Sequence, residues 1–547
     1  PALTIGMAQI DAVVGDIEGN ARRAVEAARR QASRQGARLV VLPELCLLGY
    51  PPDDLLLRPD LAARIESAVD GIAGELADGG VAVLVGLPLF EGETCCNAAI
   101  LLDGGARVAT VRKRCLPNYG VFDEKRYFRA GDAPVTAELE GVRVGLMICE
   151  DIWQAFPAAE LAAAGARVIV SPNASPYHCD KAAERRAVAG QRVRETGCPL
   201  VYVNQVGGQD DLVFDGGSFV LDADGREVLG LPPFVPADGV VTVDSGSGVT
   251  AATVEGGEAD GPSPGDDRSG SIHGALTLAI RDYVRKNGFE RVFVGLSGGI
   301  DSALTLALAV DALGAARVTA VLMPSRFTAR MSRDDAAEQA SLLGVALETL
   351  SIEPAHEAFL ETLAGSFAGR DADTTEENVQ ARCRGLILMA LANKFGGIVL
   401  STGNKSEMAV GYATLYGDMA GGFAPLKDVS KTRVYALARW RNRRSRVIPE
   451  RVIEREPSAE LAADQADSDS LPPYAVLDPI LEALVERDES VESIAAAGGH
   501  DPELVRSVAS MVVKSEYKRR QAAPGPKISP RAFGRERRYP ITSRYRF

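Results

Sequence analysis

The 547-residue chain lacks several features that would place it in a simple class. None of its eight cysteines (46, 95, 96, 115, 149, 179, 198 and 383) pairs as C-x-x-C and they form no small-domain framework, so neither disulfides nor zinc is expected. The chain is too long for a disulfide-stapled scaffold, so reduced thiols and a cytoplasmic address are expected. Apolar runs such as Val81–Leu89 and Val292–Leu296 are strand-sized and far short of the ~20 residues that cross a bilayer. The opening stretch, PALTIGMAQIDAVVGD, reads as a strand and a loop without a basic n-region or apolar h-region, so no export signal is expected. Positive charge is not in excess. A net charge of −14 repels phosphate backbones and anionic lipid, which excludes long nucleic acids and membranes as expected partners. A nest of backbone N–H groups can still hold a small anion against that field. No tandem repeat of solenoid period is present.

What is present is globular: 46% hydrophobic and 24% charged residues, in a length that suits two to four domains at roughly 100–200 residues each. From Leu3 to about Val243, short β-branched runs alternate with Ala/Arg/Glu-rich stretches such as Asn20–Gln35, a pattern of α/β layering. Residues 245 to 270 are rich in Gly, Ser, Asp and Pro and read as a linker. Beyond them, Arg291–Leu296 and Arg317–Met323 alternate with helical patterns, which predicts a parallel, doubly wound sheet. The domains expected are 1–245, a linker over 246–270, and 271–547 with a basic tail from Lys514.

Three polar residues stand at apolar strand ends in the first half. Glu44 lies in VVLPELCLLGY, Lys113 in VRKRCLPNYG, and Cys149 follows VRVGLMI and precedes Glu150 and Asp151. Taken singly, these are a loop carboxylate, a surface lysine and an inert small hydrophobe. Together, P-E, R-K-x-x-L and C-E-D in this order resemble the nitrilase superfamily, whose fold is an αββα sandwich. The resemblance implies that Cys149 attacks a carboxamide, Glu44 carries the proton, and Lys113 with the Glu150 N–H holds the oxyanion. Whether the thiolate is preformed stays open, because Lys113 favours it and Glu44 opposes it. Glu124 in FDEKRYF matches a further carboxylate of the superfamily, with a rim charge as the other reading. Among members that use glutamine, the resemblance places Tyr119, Glu150, Ser175 and Lys181 at the substrate amino acid.

The second half carries Leu296-Ser297-Gly298-Gly299-Ile300-Asp301-Ser302 between a strand and a helix. Its glycines, successive N–H groups and serine hydroxyls suit a pyrophosphate, yet it lacks both the Walker lysine and G-x-G-x-x-G. The string resembles the N-type ATP pyrophosphatases, with their adenine nucleotide alpha hydrolase-like fold. Flanking text (TTEENVQARCRG, STGNKSEMAVGYATLYGDMAGGF, EYKRRQAAPGPKISPRAFGR) is similar to the NAD synthetases within that group. The resemblance implies ATP as a substrate held at 296–302 and Thr402, Mg²⁺ at Asp301 and Glu407, and deamido-NAD at Asn378, Glu407 and Lys518. The Gly-rich stretch Tyr412–Phe423 reads as a lid ordering over nucleotide. Cys383 replaces an expected aliphatic residue with a small buried thiol.

Joined on one chain, the halves imply a ligase in which glutamine-derived ammonia amidates adenylylated deamido-NAD, with the ammonia tunnelled between domains and the chain homo-oligomeric. Two alternatives stay open: an amidotransferase that adenylates another acid or a purine carbonyl, and a nucleotide-sensing module on a degenerate amidase.

Overall fold

The computed structural model describes residues 1–244, 248–255, 268–462, 467 and 470–547. The chain forms two compact units. One holds Pro1–Gln209 and the chain from Val213 up to Glu255, the other Asp210–Leu212 and the chain from Arg268 to Phe547. Among the described residues no helix is long and apolar enough to cross a membrane.

The first unit is a sandwich of two sheets. One has seven strands, in the order Gly248–Glu255, Ala237–Asp244, Ala2–Gln9, Leu39–Val41, Ala82–Glu91, Thr94–Asp103 and Ala106–Arg112. The other has six: Glu227–Gly230, Phe219–Leu221, Leu200–Asn204, Val168–Asn173, Val142–Leu146 and Val135–Leu139. Each sheet is parallel at its centre and antiparallel at its flanks. Alternate residues face inward, as period-two geometry requires, so Leu3, Ile5, Met7, Leu39 and Val41 meet Val142, Val144, Leu146, Val168 and Val170 in one core. Helices Ile17–Gln35 and Leu61–Leu76 cover one outer face, Ala155–Ala163 and Lys181–Thr196 the other, giving the αββα order. The first of these starts ahead of its predicted position because Asp16 accepts the Gly19 N–H at its N-terminus, and it ends at Gly36 in the left-handed region.

The segment expected to be linker carries structure at both ends. Gly248–Glu255 pairs antiparallel with Ala237–Asp244, and a helix, Arg268–Lys286, begins within the expected boundary. Residues 245–247 and 256–267 of that stretch lie outside the described residues.

The second unit is built on a four-stranded, all-parallel sheet in the order Ala346–Thr349, Val318–Leu322, Arg291–Gly295, Gly397–Leu400. Helix Thr374–Lys394 packs on the face of Phe293, Val321 and Val399, burying Cys383 among them. Helix Ile300–Leu313 packs where Val292 and Val294 point, so the sheet is covered on both sides. Strand order reverses between Arg291–Gly295 and Gly397–Leu400. Their carboxyl ends therefore flank a crevice, the place where open α/β sheets take ligands.

Candidate active sites

In the first unit, Glu44, Lys113 and Cys149 all leave the carboxyl ends of strands. Glu44 is pressed onto the neighbouring strand at Gly86, where a Cβ would come within 2.5 Å of the Leu45 nitrogen; only glycine allows this approach. Cys149 has φ of +44°, a left-handed backbone that a cysteine adopts only under constraint. Asp151 supplies that constraint. Its carboxylate accepts the N–H groups of Ile148 at 3.0 Å, Arg114 at 3.0 Å and Cys115 at 2.8 Å.

Lys113 is the hub. Its Nζ donates to Glu44 Oε1 at 2.6 Å and to Glu124 Oε1 at 2.8 Å, with all three side chains buried. Asn97 Nδ2 donates to Glu44 Oε1 at 2.7 Å and the Ala174 N–H to Glu44 Oε2 at 3.0 Å, so both oxygens of this carboxylate are held. Tyr50 donates to Glu124 Oε1 at 2.7 Å, while Glu124 Oε2 is buried without a partner. Burial works against charge on Lys113, but Glu124, Glu44 and Cys149 outweigh it and hold the ammonium charged well beyond an ordinary lysine. Burial pushes the Glu124 carboxyl up, and Glu44 adds to the effect against the pull of Lys113.

The Cys149 thiol is pushed far up by burial first and by Glu44 second, with Lys113 opposing. Burial and Glu44 thus favour the protonated sulfur, and Lys113 favours the thiolate. Alkylation of Cys149 by iodoacetamide should accelerate with pH through and beyond the ordinary cysteine value of about 8.5, since only the thiolate reacts. Mass-spectrometric rates that level off near neutrality would contradict this.

Around the thiol, Tyr119 donates to both oxygens of Glu150 at 3.0 Å. The Ser175 hydroxyl accepts from Arg185 Nε at 3.0 Å, which leaves its proton to be donated. Arg185 is itself anchored by Asp215 at 2.8 Å. Lys181 lies 4.1 Å from the centre of the Trp153 ring and 3.2 Å from Glu184. Asn97, Tyr50, Ala174 and Arg185 are absent from the sequence reading. Asn97 left one signal, a lone amide in the apolar run CCNAAILL.

In the second unit, the crevice is a cavity of about 250 Å³ lined by Leu296, Ser297, Gly299, Ile300, Asp301, Ser302, Thr402 and Glu407. The turn is internally braced: Ser302 Oγ accepts the Ser297 N–H at 3.2 Å and donates to the Gly299 carbonyl at 3.1 Å. Gly298, at φ +83°, lies against Ser332, and Arg455 donates to its carbonyl at 2.7 Å. Asp301 accepts from Asn404 at 2.9 Å and is paired with Lys431, whose Nζ also reaches Glu407 at 3.3 Å. Burial opposes the charge of Lys431, but Asp301 and Glu407 overcome it, while burial pushes Glu407 up. Lys431 and Arg455 are further site residues that no motif singled out.

Two expected ligand contacts fall outside the cavity wall. Asn378 accepts from Thr414 Oγ1 at 2.8 Å, and Lys518 Nζ donates to the carbonyls of Gly411 at 2.8 Å and Ala413 at 2.7 Å. Both brace the stretch read as a lid. That stretch packs closely: a Cβ on Gly385 would meet the Tyr416 and Gly417 carbonyls at 2.8 and 2.9 Å, Phe423 is fully buried, and its backbone bridges Leu400. Its glycines serve contact with helix Thr374–Lys394 and strand Gly397–Leu400, and Tyr412, Gly417 and Asp418 form part of the cavity wall.

Comparison with known proteins adds independent findings. The carbon-nitrogen hydrolase family matches residues 4–251 and the NAD synthase family residues 272–522. The chain is thus a two-domain carbon–nitrogen ligase. The glutamine-dependent NAD(+) synthetases of Xylella fastidiosa strain Temecula1 and Xanthomonas campestris pv. campestris strain 8004 are each 51% identical to it, over 100% and 99% of this chain and 99% and 98% of theirs. The structure of glutamine-dependent NAD+ synthetase from Acinetobacter baumannii in complex with ADP is similar at 43% identity and TM-score 0.79, covering 99% of this chain and 98% of that one. The chain belongs to the glutamine-dependent NAD(+) synthetases.

Proposed function

We propose that the first unit releases ammonia from glutamine at Cys149 and that the second spends ATP to place it on deamido-NAD. The buried Lys113 ammonium, shared between Glu44 and Glu124, carries the first half of this reading. Glu44 takes the thiol proton as sulfur attacks the carboxamide carbon, and the oxyanion meets Lys113 and the Glu150 N–H. Collapse expels ammonia bearing the proton from Glu44. Water, deprotonated by Glu44, then cleaves the thioester to glutamate, and the sulfur regains its proton. Ser175 and Lys181 suit the α-carboxylate of glutamine, and Glu150, held by Tyr119, suits its α-ammonium.

At the second site, the Ser297–Ser302 turn and the first N–H groups of helix Ile300–Leu313 cradle the pyrophosphate of ATP, with Thr402 beside them. The deamido-NAD carboxylate attacks the α-phosphorus, pyrophosphate leaves, and ammonia displaces AMP from the acyl carbon. Asp301 and Glu407 offer hard oxygens that already stabilise one positive charge, the Lys431 ammonium, a donor set that fits Mg²⁺ shared with phosphates. Such an ion supplies charge neutralisation on the leaving pyrophosphate. Asn378 and Lys518 serve deamido-NAD by fixing the loop that walls the cavity.

Ammonia in neutral water is mostly protonated and non-nucleophilic, so transfer between the sites is enclosed. With amide-labelled [¹⁵N]glutamine, ATP and deamido-NAD, label should enter the nicotinamide carboxamide undiluted by unlabelled ammonium at modest concentration. Free dilution overturns channelling. Absence of label from NAD overturns the whole reading.

A further inference from the structure

The loop between strand Val168–Asn173 and helix Lys181–Thr196 ends in His178-Cys179-Asp180. Among the described residues, this is the one place where three such side chains bring imidazole, thiol and carboxylate donor atoms within 4.8 Å of one another. His178 and Cys179 are partly buried and Asp180 is exposed, so the cluster is ordered yet open to solvent. A fourth donor stands close: Glu184 Oε2 lies 3.5 Å from His178 Nε2. Nitrogen, sulfur and two carboxylates form a set that zinc accepts at bond lengths of about 2.0–2.3 Å in a tetrahedron. None of these groups serves the hydrolytic chemistry above.

We propose that His178, Cys179 and Asp180, with Glu184, form a binding site for a thiophilic divalent cation of the zinc class that restrains glutamine use. Glu184 is also the carboxylate partner of Lys181, at 3.2 Å. A dication that recruits Glu184 takes this partner away and sets like charge beside the Lys181 ammonium, driving it from its seat over Trp153. That consequence rests on Lys181 holding glutamine; the cation site itself does not.

Cobalt(II) reports thiolate ligation by its charge-transfer absorption. The test titrates Co²⁺ into the full-length Cys149→Ala protein, so that the nucleophilic sulfur contributes nothing. One equivalent should give the sulfur-to-cobalt band, Cys149→Ala/Cys179→Ser should lose it, and Cys149→Ala/His178→Ala should weaken it. A band that is absent, or that survives Cys179→Ser, overturns the site. In the otherwise unchanged enzyme, Zn²⁺ should raise the KM for glutamine at least about fivefold, and not in Cys179→Ser, while ammonia-driven synthesis stays constant. The cobalt band with an unmoved KM would keep the cation site and overturn its restraint of glutamine use through Lys181; loss of ammonia-driven synthesis would overturn selectivity for the first unit.

Discussion

Cys149→Ala should abolish glutamine-driven NAD synthesis, by at least about 10⁴-fold, and leave ammonia-driven synthesis at its original rate. The substitution deletes one buried sulfur at the edge of the inter-sheet core, where truncation on this scale costs about 1–2 kcal/mol and does not threaten the fold. Lys113, Glu44 and Glu124 keep their mutual bonds, because the lysine donates to each carboxylate directly and not through the sulfur. What disappears is the atom proposed to form the thioester, and Glu44, oriented by Lys113, Asn97 and the Ala174 N–H, is placed to carry a proton and not to take over as nucleophile. Parallel assays with glutamine and with ammonium chloride, both reading NAD, separate the two halves. Loss of both activities would assign the sulfur a structural role instead.

Gly298→Ala should do the reverse and remove synthesis from either nitrogen source, by about 100-fold or more. The residue sits at φ +83°, where an L side chain is strained by roughly 1–3 kcal/mol before any contact is made. A Cβ there would come within 2.8 Å of the Ser332 Cα and meet its carbonyl oxygen, and backbone cannot rotate aside as a side chain can. Relief requires the turn to lift, which pulls its carbonyl from Arg455 and displaces the N–H groups proposed to hold phosphate. ATP-binding calorimetry and ammonia-driven turnover check the prediction together; wild-type values in both would show the turn to be tolerant.

Sequence reading goes far where chemistry is local. The strand ends bearing Glu44, Lys113 and Cys149 are legible because a polar residue directly after a buried β-branched run has few structural uses, and the Ser297–Ser302 turn because two glycines between strand and helix imply close backbone approach. Partners set by folding are not legible. Lys431 opens a helix 130 positions from Asp301, and in one dimension it looks like any helix-start lysine. Tyr50 reaches Glu124 across 74 positions. Asn378 and Lys518 stand in motif context that places them at a ligand, and folding adds what the motif does not show: their side chains bond the loop over residues 411–414. The strand Gly248–Glu255 escapes notice because it is short and flanked on both sides by Gly-, Ser-, Asp- and Pro-rich sequence that masks its alternation, and only the edge of a sheet gives it a partner.

Asp151 touches neither the sulfur nor the ammonium, yet it clasps the turn of one and the amides directly after the other. The segments bearing nucleophile and cation are thereby yoked into a single jaw. A displacement of either strand end must stretch these bonds or carry the other segment with it, so the clasp resists any change in the gap between sulfur and positive charge.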